Sequence, residues 1–250
     1  MREKAYKVLA KQLGVSNKKA KELIDRGVVY AFGKKVKIAR GEVDLSTRFK
    51  VVDYAALEVI FEDENVLAVN KPAFLTSEEI EKDCGYRLLH RLDKETSGVL
   101  LLSKKEEFRT KAIESFRQKE VKKEYLAWVE GIVAESAVID LPLITQRKGG
   151  RARSRVSYSK GKEAVTYIEP IEIVSKYTKI RATIETGRTH QIRVHMARFG
   201  HPILGDVYYG GKEFGRVMLH SHKIELLGYS FEAPEPREMI EPFAQNFKFS

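Results

Sequence analysis

Apolar residues in the first fifty positions recur with the 3.6-residue period of an α-helix. Four of them would share one face of a first helix: Tyr6, Leu9, Ala10 and Leu13. Gly14 then ends this helix, Ser16 can cap a second one, and Gly27 ends the second. The second helix would place three apolar residues inward: Ala20, Leu23 and Ile24. Residues 28–37 predict a short β-hairpin that turns near Gly33.

From about residue 53 onward the pattern changes to short apolar runs, which are typical of β-strands. Strands are predicted over residues 57–61, 66–69, 99–102, 125–129, 164–168, 180–184 and 217–219. The polar residues 62–65 indicate a hairpin between the first two strands. The Lys71-Pro72 pair ends the second strand, because proline cannot donate a backbone hydrogen bond to a sheet.

Two helices interrupt these strands. Ser103 and Glu106 have the spacing of a capping box, and an apolar stripe follows at Phe108, Ala112, Ile113 and Phe116. Another helix is predicted to end at Gly200, with four residues on one face: Ile192, His195, Met196 and Phe199. Strands outnumber helices without βαβ regularity, so the predicted class is α+β with a mainly antiparallel sheet. This domain would span residues 53–250, after a small helical and hairpin domain of residues 1–50.

Composition limits the environment in which the protein works. The chain has 250 residues, of which 43% are hydrophobic, and this is enough for a packed core. The single cysteine, Cys84, cannot form an intramolecular disulfide, which favours a reducing compartment. No apolar run approaches the roughly twenty residues that a membrane span needs, and the N-terminus shows no signal-peptide core. We therefore expect a cytoplasmic protein.

Positive charge is concentrated near the N-terminus. The formal net charge is +10, and residues 1–50 hold fourteen Lys or Arg against five Asp or Glu. Such an excess attracts a polyanion. Nucleic acid is the favoured partner, because the large aromatic helix face that would suit a membrane surface is missing from the pattern.

The motifs of common cofactor sites do not occur. The sequence has no Gly-x-Gly-x-x-Gly and no cysteine pair, so neither a nucleotide cofactor nor a thiolate-bound metal is predicted. Residues 27–35 imitate a phosphate loop. Five residues separate its glycines instead of four, and Lys35 stands where Ser or Thr must bind magnesium.

An aspartate stands in a polar turn that runs directly into an apolar strand, in the block HRLDKETSG at residues 90–98. Asp before Thr-Ser-Gly is by itself ordinary turn chemistry, although a neighbouring cation would favour the ionised carboxylate. The block resembles the HRLDxxTSG signature of the RluA-type family, the pseudouridine synthases related to the large-subunit ribosomal RNA enzymes. A second block, GRTHQIRVH at residues 187–195, followed by GHPI at residues 200–203, resembles that family's other diagnostic motif.

This resemblance implies an isomerase that converts uridines of structured ribosomal or transfer RNA to pseudouridine without a cofactor. It implies that Asp93 is the catalytic carboxylate and that Arg188 is its basic partner, holding it by forked hydrogen bonds. It also implies that Tyr125 lines the uracil pocket, where its ring can stack on the extruded base. Arg91 lies two residues before Asp93, and from this spacing alone we expect it either to fill the space that a flipped base vacates or to hold adjacent phosphates.

RNA contacts are expected in two basic regions. Residues 1–50 resemble the S4 RNA-binding module often fused to such synthases, with contacts expected from Lys18, Lys19, Arg26, Lys34 and Lys35. Residues 147–162 hold seven Lys or Arg and no acid, which predicts a mobile basic loop that orders on an RNA backbone. Its expected contacts are Arg151, Arg153 and Arg155. The alternative for both regions is an ordinary solvated surface.

Two other functions remain open at this point. The protein could be an RNA-binding protein or RNA-folding chaperone whose synthase domain is silent. It could also be a glycoside-cleaving hydrolase with paired carboxylates, for which Glu95 is the nearby candidate. One departure from the family pattern, Phe74 where glycine is usual, puts the fit of the substrate in doubt. We expect a monomer that acts on RNA stem-loops, with no membrane and no obligate protein partner.

Overall fold

The structure is a computed structural model that describes residues 2–25, 29–32, 34–51, 57–148 and 151–243. The chain separates into two compact units. One ends at Leu57, the other spans Glu58–Ile240, and residues 241–243 group with the first. Within the described ranges, no helix combines the length and the apolar character needed to cross a membrane.

The first unit contains the predicted helices and hairpin. Its elements are β1 (Arg2–Lys4), α1 (Ala5–Leu13), α2 (Asn17–Asp25), β2 (Val29–Ala31), β3 (Lys34–Lys35), β4 (Glu42–Asp44) and β5 (Phe49–Val51). Gly14 follows α1 in the left-handed conformation, and the Ser16 hydroxyl accepts from the Lys19 N–H, which confirms both helix signals. β2 and β3 pair antiparallel, as the hairpin prediction requires. Gly27 and Gly33 lie outside the described residues, and the S4 assignment stays a prediction.

The second unit is built on one large sheet. Its strands are β6 (Glu58–Glu62), β7 (Val66–Lys71), β8 (Arg87–Leu88), β9 (Ser97–Ser103), β10 (Lys122–Glu130), β11 (Ala137–Asp140), β12 (Leu143–Lys148), β13 (Arg151–Val156), β14 (Val165–Val174), β15 (Tyr177–Ile184), β16 (Leu219–Leu226) and β17 (Tyr229–Glu232). Its helices are α3 (Ser77–Cys84), α4 (Glu106–Arg117), α5 (Gln191–Arg198) and α6 (Arg237–Ile240), with a 3₁₀ turn at Val207–Tyr209.

The sheet joins ten of these strands in the described part of the chain. Their order is β11-β14-β15-β10-β16-β9-β7-β6, with β17 added to β16 and β8 added to β9. The pairings between these described strands are antiparallel except for the parallel contact of β9 with β16. The predicted α+β class with a mainly antiparallel sheet is therefore confirmed.

Strand β9 is an interior strand of this sheet, and it explains where the motif aspartate lies. All seven residues of β9 are buried, because the strand lies between β7 and β16 and helix α4 contacts it. Gly98 has a φ of 111°, and a Cβ built there would lie 2.1 Å from the Ser221 carbonyl oxygen. Only glycine allows this approach of β9 to β16. The turn before β9 thereby lies beside the start of β16.

The helices of this unit were predicted less well than its strands. The capping box at Ser103 and Glu106 is wrong: Lys105 precedes α4 without a side-chain cap, since the Ser103 hydroxyl donates to the Lys105 carbonyl and Ser103 ends β9. Ile113 is exposed instead of buried. The capping box lies at Thr76 and Glu79, at the start of α3, a helix that the sequence reading missed.

Two further expectations need correction. Residues 147–162 are not a loop, because eight of the fourteen that the structure describes belong to the strands of the β12–β13 hairpin, with residues 149–150 outside the described residues. The alternation of Arg151, Arg153 and Arg155 with smaller residues was a strand signal. The last predicted strand begins at Leu219 instead of residue 217, and Phe199 is exposed beyond the end of α5.

Candidate active site

Asp93 lies in a turn that is fixed on both sides. The Ser77 hydroxyl accepts from the Leu92 N–H at 3.0 Å and donates to the Leu92 carbonyl at 3.3 Å, which ties the turn to α3. On the other side, the Thr96 N–H donates to the Asp93 carbonyl at 3.1 Å. The Asp93 side chain is 23% exposed at the mouth of β9, so it combines a rigid backbone with access from outside.

A buried lysine supports the same turn from below. The Lys71 ammonium group is fully buried and donates to three carbonyl oxygens, those of Pro72 (3.1 Å), Leu75 (2.7 Å) and Lys94 (3.3 Å). Burial lowers the pKa of Lys71 to about 7, although the charge of Asp93 opposes this change. The Lys-Pro region therefore supports the loop that carries Asp93, a role that sequence reasoning missed.

Phe74 adopts the conformation that the usual glycine would favour. Its φ is 75°, in the left-handed region that is costly for a bulky residue, and its N–H donates to the Lys94 carbonyl at 2.7 Å. The ring is buried at 8% exposure. The unusual residue thus keeps the turn geometry of glycine, with burial of an aromatic ring offsetting the backbone strain.

The cation that lies against Asp93 is Arg193, on the first turn of α5. Its Nη1 is 3.2 Å from Asp93 Oδ2 and 3.8 Å from Glu95 Oε2. The other side of the guanidinium forms a fork on Asp206, with distances of 2.7 Å and 2.8 Å. Burial alone would lower the pKa of Arg193, but the bonds and charge of Asp206, with Asp93 and Glu95, raise it above its ordinary value. Arg193 is therefore a fixed cation with one N–H group directed at Asp93.

Arg188 does not occupy the position that we expected for it. Its side-chain Nε donates to the Glu163 carbonyl at 3.0 Å, and its backbone N–H donates to the Gln191 side-chain oxygen at 3.1 Å. In the described chain, the guanidinium within ion-pair distance of Asp93 belongs to Arg193. Arg188 still lines the same cleft as Asp93, at its half-buried rim. The physical reason is its place in the loop before α5, whose first turn carries Arg193 inward.

Tyr125 faces the aspartate from strand β10, as expected for a pocket residue. It is 8% exposed and lines the cleft together with Asp93. Burial, with a smaller contribution from Asp93, raises the pKa of Tyr125 to about 12. Its phenol is therefore neutral at physiological pH. Nearby Lys123 donates to the Glu185 carbonyl at 2.8 Å, which ties β10 to the loop that carries Arg188.

Two histidines of the motifs have different surroundings. His90 accepts from the Leu101 N–H at 3.2 Å, and burial, with the charge of Lys123, lowers its pKa to about 3. His90 is therefore a neutral structural group. His190 lies at the site itself, with Nε2 at 3.7 Å from Asp93 Oδ1 and Nδ1 at 2.8 Å from the Tyr209 hydroxyl.

These residues enclose one cleft of about 430 Å³, counted to its open mouth. Asp93, Tyr125, Arg188, His190 and Arg193 all line it. A negative carboxylate, a neutral phenol and fixed cations thus meet in one open space. Such a site can bind a planar ring with its phosphate and present a carboxylate to it.

The expected RNA contacts are distributed as follows. Arg91 lines the cleft and is mostly exposed, with its Nε at 2.9 Å from Glu78. Arg155 is exposed on β13, and the Arg153 guanidinium lies 5.1 Å from the Tyr208 ring centroid. Lys18 and Lys19 are exposed in the first unit. Four of the expected RNA contacts lie outside what the structure describes. These are the whole residue Arg26 and the side chains of Lys34, Lys35 and Arg151.

Comparison with known proteins gives concordant matches. The model of a family described as RNA pseudouridylate synthase matches residues 65–198, which include Asp93, Tyr125 and Arg193. An uncharacterized RNA pseudouridine synthase of Helicobacter pylori J99 is 51% identical over 94% of this chain and 98% of its own length. The ribosomal large subunit pseudouridine synthase D of Pasteurella multocida is 31% identical over 90% of this chain and 85% of its own.

A solved structure agrees with these sequence matches. The human RNA pseudouridylate synthase domain containing 1 superposes with a TM-score of 0.67 at 26% identity, covering 78% of this chain and 89% of that chain.

Proposed function

This chain belongs to the RNA pseudouridylate synthase family and is an RNA pseudouridine synthase, and we propose that Asp93 is the carboxylate on which its reaction depends. The observation that carries the proposal is the position of the Asp93 carboxylate. It stands in an open cleft with one oxygen at 3.2 Å from a buried guanidinium and with Tyr125 lining the same space.

The reaction requires no redox change. The uracil is detached from C1′ of its ribose at N1 and reattached through C5, so one C–N bond breaks and one C–C bond forms. The hydrogen of C5 is released, and N1 gains a proton. A carboxylate can attack the base, attack the sugar or remove a sugar proton, and each of these roles requires it to be ionised. Arg193 places a buried guanidinium 3.2 Å from one oxygen of this carboxylate.

Tyr125 is proposed as the surface on which the uracil rests. Its ring lines the cleft from β10, and its buried phenol stays neutral because burial raises its pKa to about 12. Stacking of a base on an aromatic ring contributes about 1–3 kcal/mol. That contribution offsets part of the cost of removing the uridine from its helix, which is a few kcal/mol.

Two arginines at the cleft rim are proposed to hold the RNA around the flipped base. Arg91 is exposed and pairs with Glu78 across a distance of 2.9 Å, an exposed contact that RNA can displace at little cost. The Nε of Arg188 donates to a backbone carbonyl oxygen. Its terminal nitrogens are therefore better suited to bind a phosphate oxygen than a buried carboxylate. The exposed Arg155 of the second unit and, separately, the exposed lysines of α2 in the first unit are proposed to contact the RNA backbone.

Large-subunit ribosomal RNA is proposed as the first substrate to examine, because the Pasteurella multocida relative is named for that RNA. The deciding experiment is tritium release from RNA labelled at C5 of uridine, with ribosomal and transfer RNA compared. Asp93→Asn should abolish release while RNA binding persists. Glu107→Gln, an acid-to-amide change on an exposed face of α4, is the matched control and should retain the wild-type rate.

The rival functions predict other results. If the wild-type protein binds RNA but releases no tritium from either RNA, the silent RNA-binding protein is the better description. If Glu95→Gln abolishes activity as completely as Asp93→Asn and a free base accumulates, the paired-carboxylate hydrolase is favoured.

A further inference from the structure

A polar chain leads from Asp93 toward the basic hairpin β12–β13. Arg193 contacts one carboxylate oxygen of Asp93, and the His190 ring faces the other, with Nε2 at 3.7 Å from Oδ1. The opposite ring nitrogen of His190 lies 2.8 Å from the Tyr209 hydroxyl. That hydroxyl in turn accepts the backbone N–H of the buried Ser154 at 3.0 Å. The hairpin is thus linked to the carboxylate through Tyr209 and His190.

The hydrogen bonds of Tyr209 favour one tautomer of His190. The Ser154 N–H can only donate to the Tyr209 oxygen, and Nδ1 of His190 is then the acceptor that lies within reach of the hydroxyl proton. A neutral imidazole that accepts at Nδ1 carries its proton on Nε2. Burial, against the opposing charge of Asp93, lowers the pKa of His190, which agrees with a neutral ring. The Nε2–H group then faces Asp93.

The backbone and ring contacts of His190 fix this arrangement. His190 has a φ of 55°, a left-handed conformation that a non-glycine residue keeps only when its surroundings impose it. Tyr208 and Tyr209 meet its ring edge to face, with centroids 6.1 Å and 5.5 Å away. The Tyr209 ring also lies 5.3 Å from the Arg193 guanidinium, so one tyrosine contacts both neighbours of Asp93.

We propose that His190 is a positioning residue for Asp93, that it fixes Oδ1 while Arg193 fixes Oδ2, and that Tyr209 sets its tautomer. This inference rests on the proposed role of Asp93. The separation of 3.7 Å is longer than a hydrogen bond, and contacts of this kind often shorten only when substrate is bound. Because Ser154 belongs to the basic hairpin, the segment proposed to contact RNA is connected through Tyr209 to the group that orients the carboxylate.

The test uses single-turnover tritium release by the full-length protein on uridine-labelled ribosomal RNA. Tyr209→Phe removes the hydroxyl but keeps the ring beside Arg193, and His190→Asn keeps a residue that tolerates the left-handed conformation. Each should slow the chemical step roughly 10-fold to 150-fold, the effect of one hydrogen bond to a charged group, at unchanged RNA affinity. The double variant should be no slower than His190→Asn, because both changes break one chain.

Tyr167→Phe is the matched control, since this half-exposed tyrosine on β14 lies outside the lining of the cleft. Asp93→Asn is measured in parallel: if it keeps activity, the proposed function fails before His190 is considered. If Asp93 is required but Tyr209→Phe reacts as fast as Tyr167→Phe, the positioning role is overturned. It is also overturned if the two rate reductions multiply, or if only RNA affinity falls. Should His190→Asn fail to fold, Tyr209→Phe alone decides.

Discussion

Replacement of Arg193 by lysine separates the role of this arginine from that of Arg188. Lysine keeps the positive charge but cannot form the fork that Arg193 makes on Asp206 at 2.7 Å and 2.8 Å while also reaching Asp93 at 3.2 Å. We therefore expect Arg193→Lys to fold with reduced stability and to slow the chemical step. RNA affinity should change little, because Arg193 is only 5% exposed.

The magnitudes follow from the hydrogen bonds that lysine cannot replace. A hydrogen bond to a charged group contributes about 1.5–3 kcal/mol. If lysine keeps one of the two hydrogen bonds to Asp206, the free energy of unfolding should fall by about that amount. For a unit of this size, the expected decrease in Tm is roughly 3–12 °C. The hydrogen bond to Asp93, valued in the same way, corresponds to roughly a 10-fold to 150-fold slower single-turnover rate when it is removed.

Arg188→Lys is the matched variant, since both arginines stand in the same motif and line the same cleft. It should weaken RNA binding and leave the rate at saturating enzyme close to that of the wild type. Tritium release at saturating enzyme, filter binding and thermal unfolding measure the three quantities. The assignment of Arg193 fails if Arg193→Lys reacts at the wild-type rate, and it is reversed if Arg188→Lys slows the chemical step instead.

Three shorter predictions address the scaffold and the RNA surface. Gly98→Ala should destabilise the protein by more than about 3 kcal/mol in chemical denaturation, because its Cβ would meet a carbonyl, whereas Gly85→Ala, with open space around it, should cost about 1–2 kcal/mol. Burial lowers the pKa of His90 and His220 to about 3, and an unfolded histidine takes up its proton near 6.5. Stability should therefore decline as the pH falls from 6.5 toward 3, by about 2 kcal/mol per histidine at pH 5, and His220→Gln should flatten this decline. Lys18→Gln combined with Lys19→Gln should reduce the salt dependence of RNA binding by about one to two phosphate contacts, and an unchanged salt slope would remove α2 from the RNA surface.

Most of the sheet could be predicted from the sequence because its strands carry their own signal. The sequence of β9 contains a continuous apolar run, and those of β7 and β10 are nearly continuous. Such runs indicate strands that are buried on both faces, so they could be identified without knowledge of their partners. The hairpin β12–β13 was missed because its basic residues suggested a solvated loop. The alternation that is typical of a strand was present, but the alternating residues were arginines instead of apolar residues. Helix α3 was missed although Thr76 and Glu79 showed its capping box.

The partner of the aspartate could not be predicted from motif order alone. Arg188 and Arg193 both stand in the second motif, and the choice between them depends on where α5 begins. Since α5 begins at Gln191, residue 193 lies among five other buried residues of the helix and needs charged partners. An arginine between the apolar residues Ile192 and Val194 of a helix, followed by Gly205 and Asp206, was the signal that could have identified Arg193.

The arrangement around Arg193 explains how one cation can hold Asp93 without removing its reactivity. Asp206 is almost fully buried and takes two nitrogens of the guanidinium, so most of that positive charge is already balanced. Asp93 receives only the remaining Nη1 at 3.2 Å, while its carboxylate stays partly open to the cleft. An exclusive fork between Arg193 and Asp93 would bind the carboxylate more strongly and cover both of its oxygens. Because Asp206 takes the fork, Arg193 holds Asp93 by a single bond on Oδ2, and the Asp93 carboxylate, with His190 beside its other oxygen, stays accessible to the substrate.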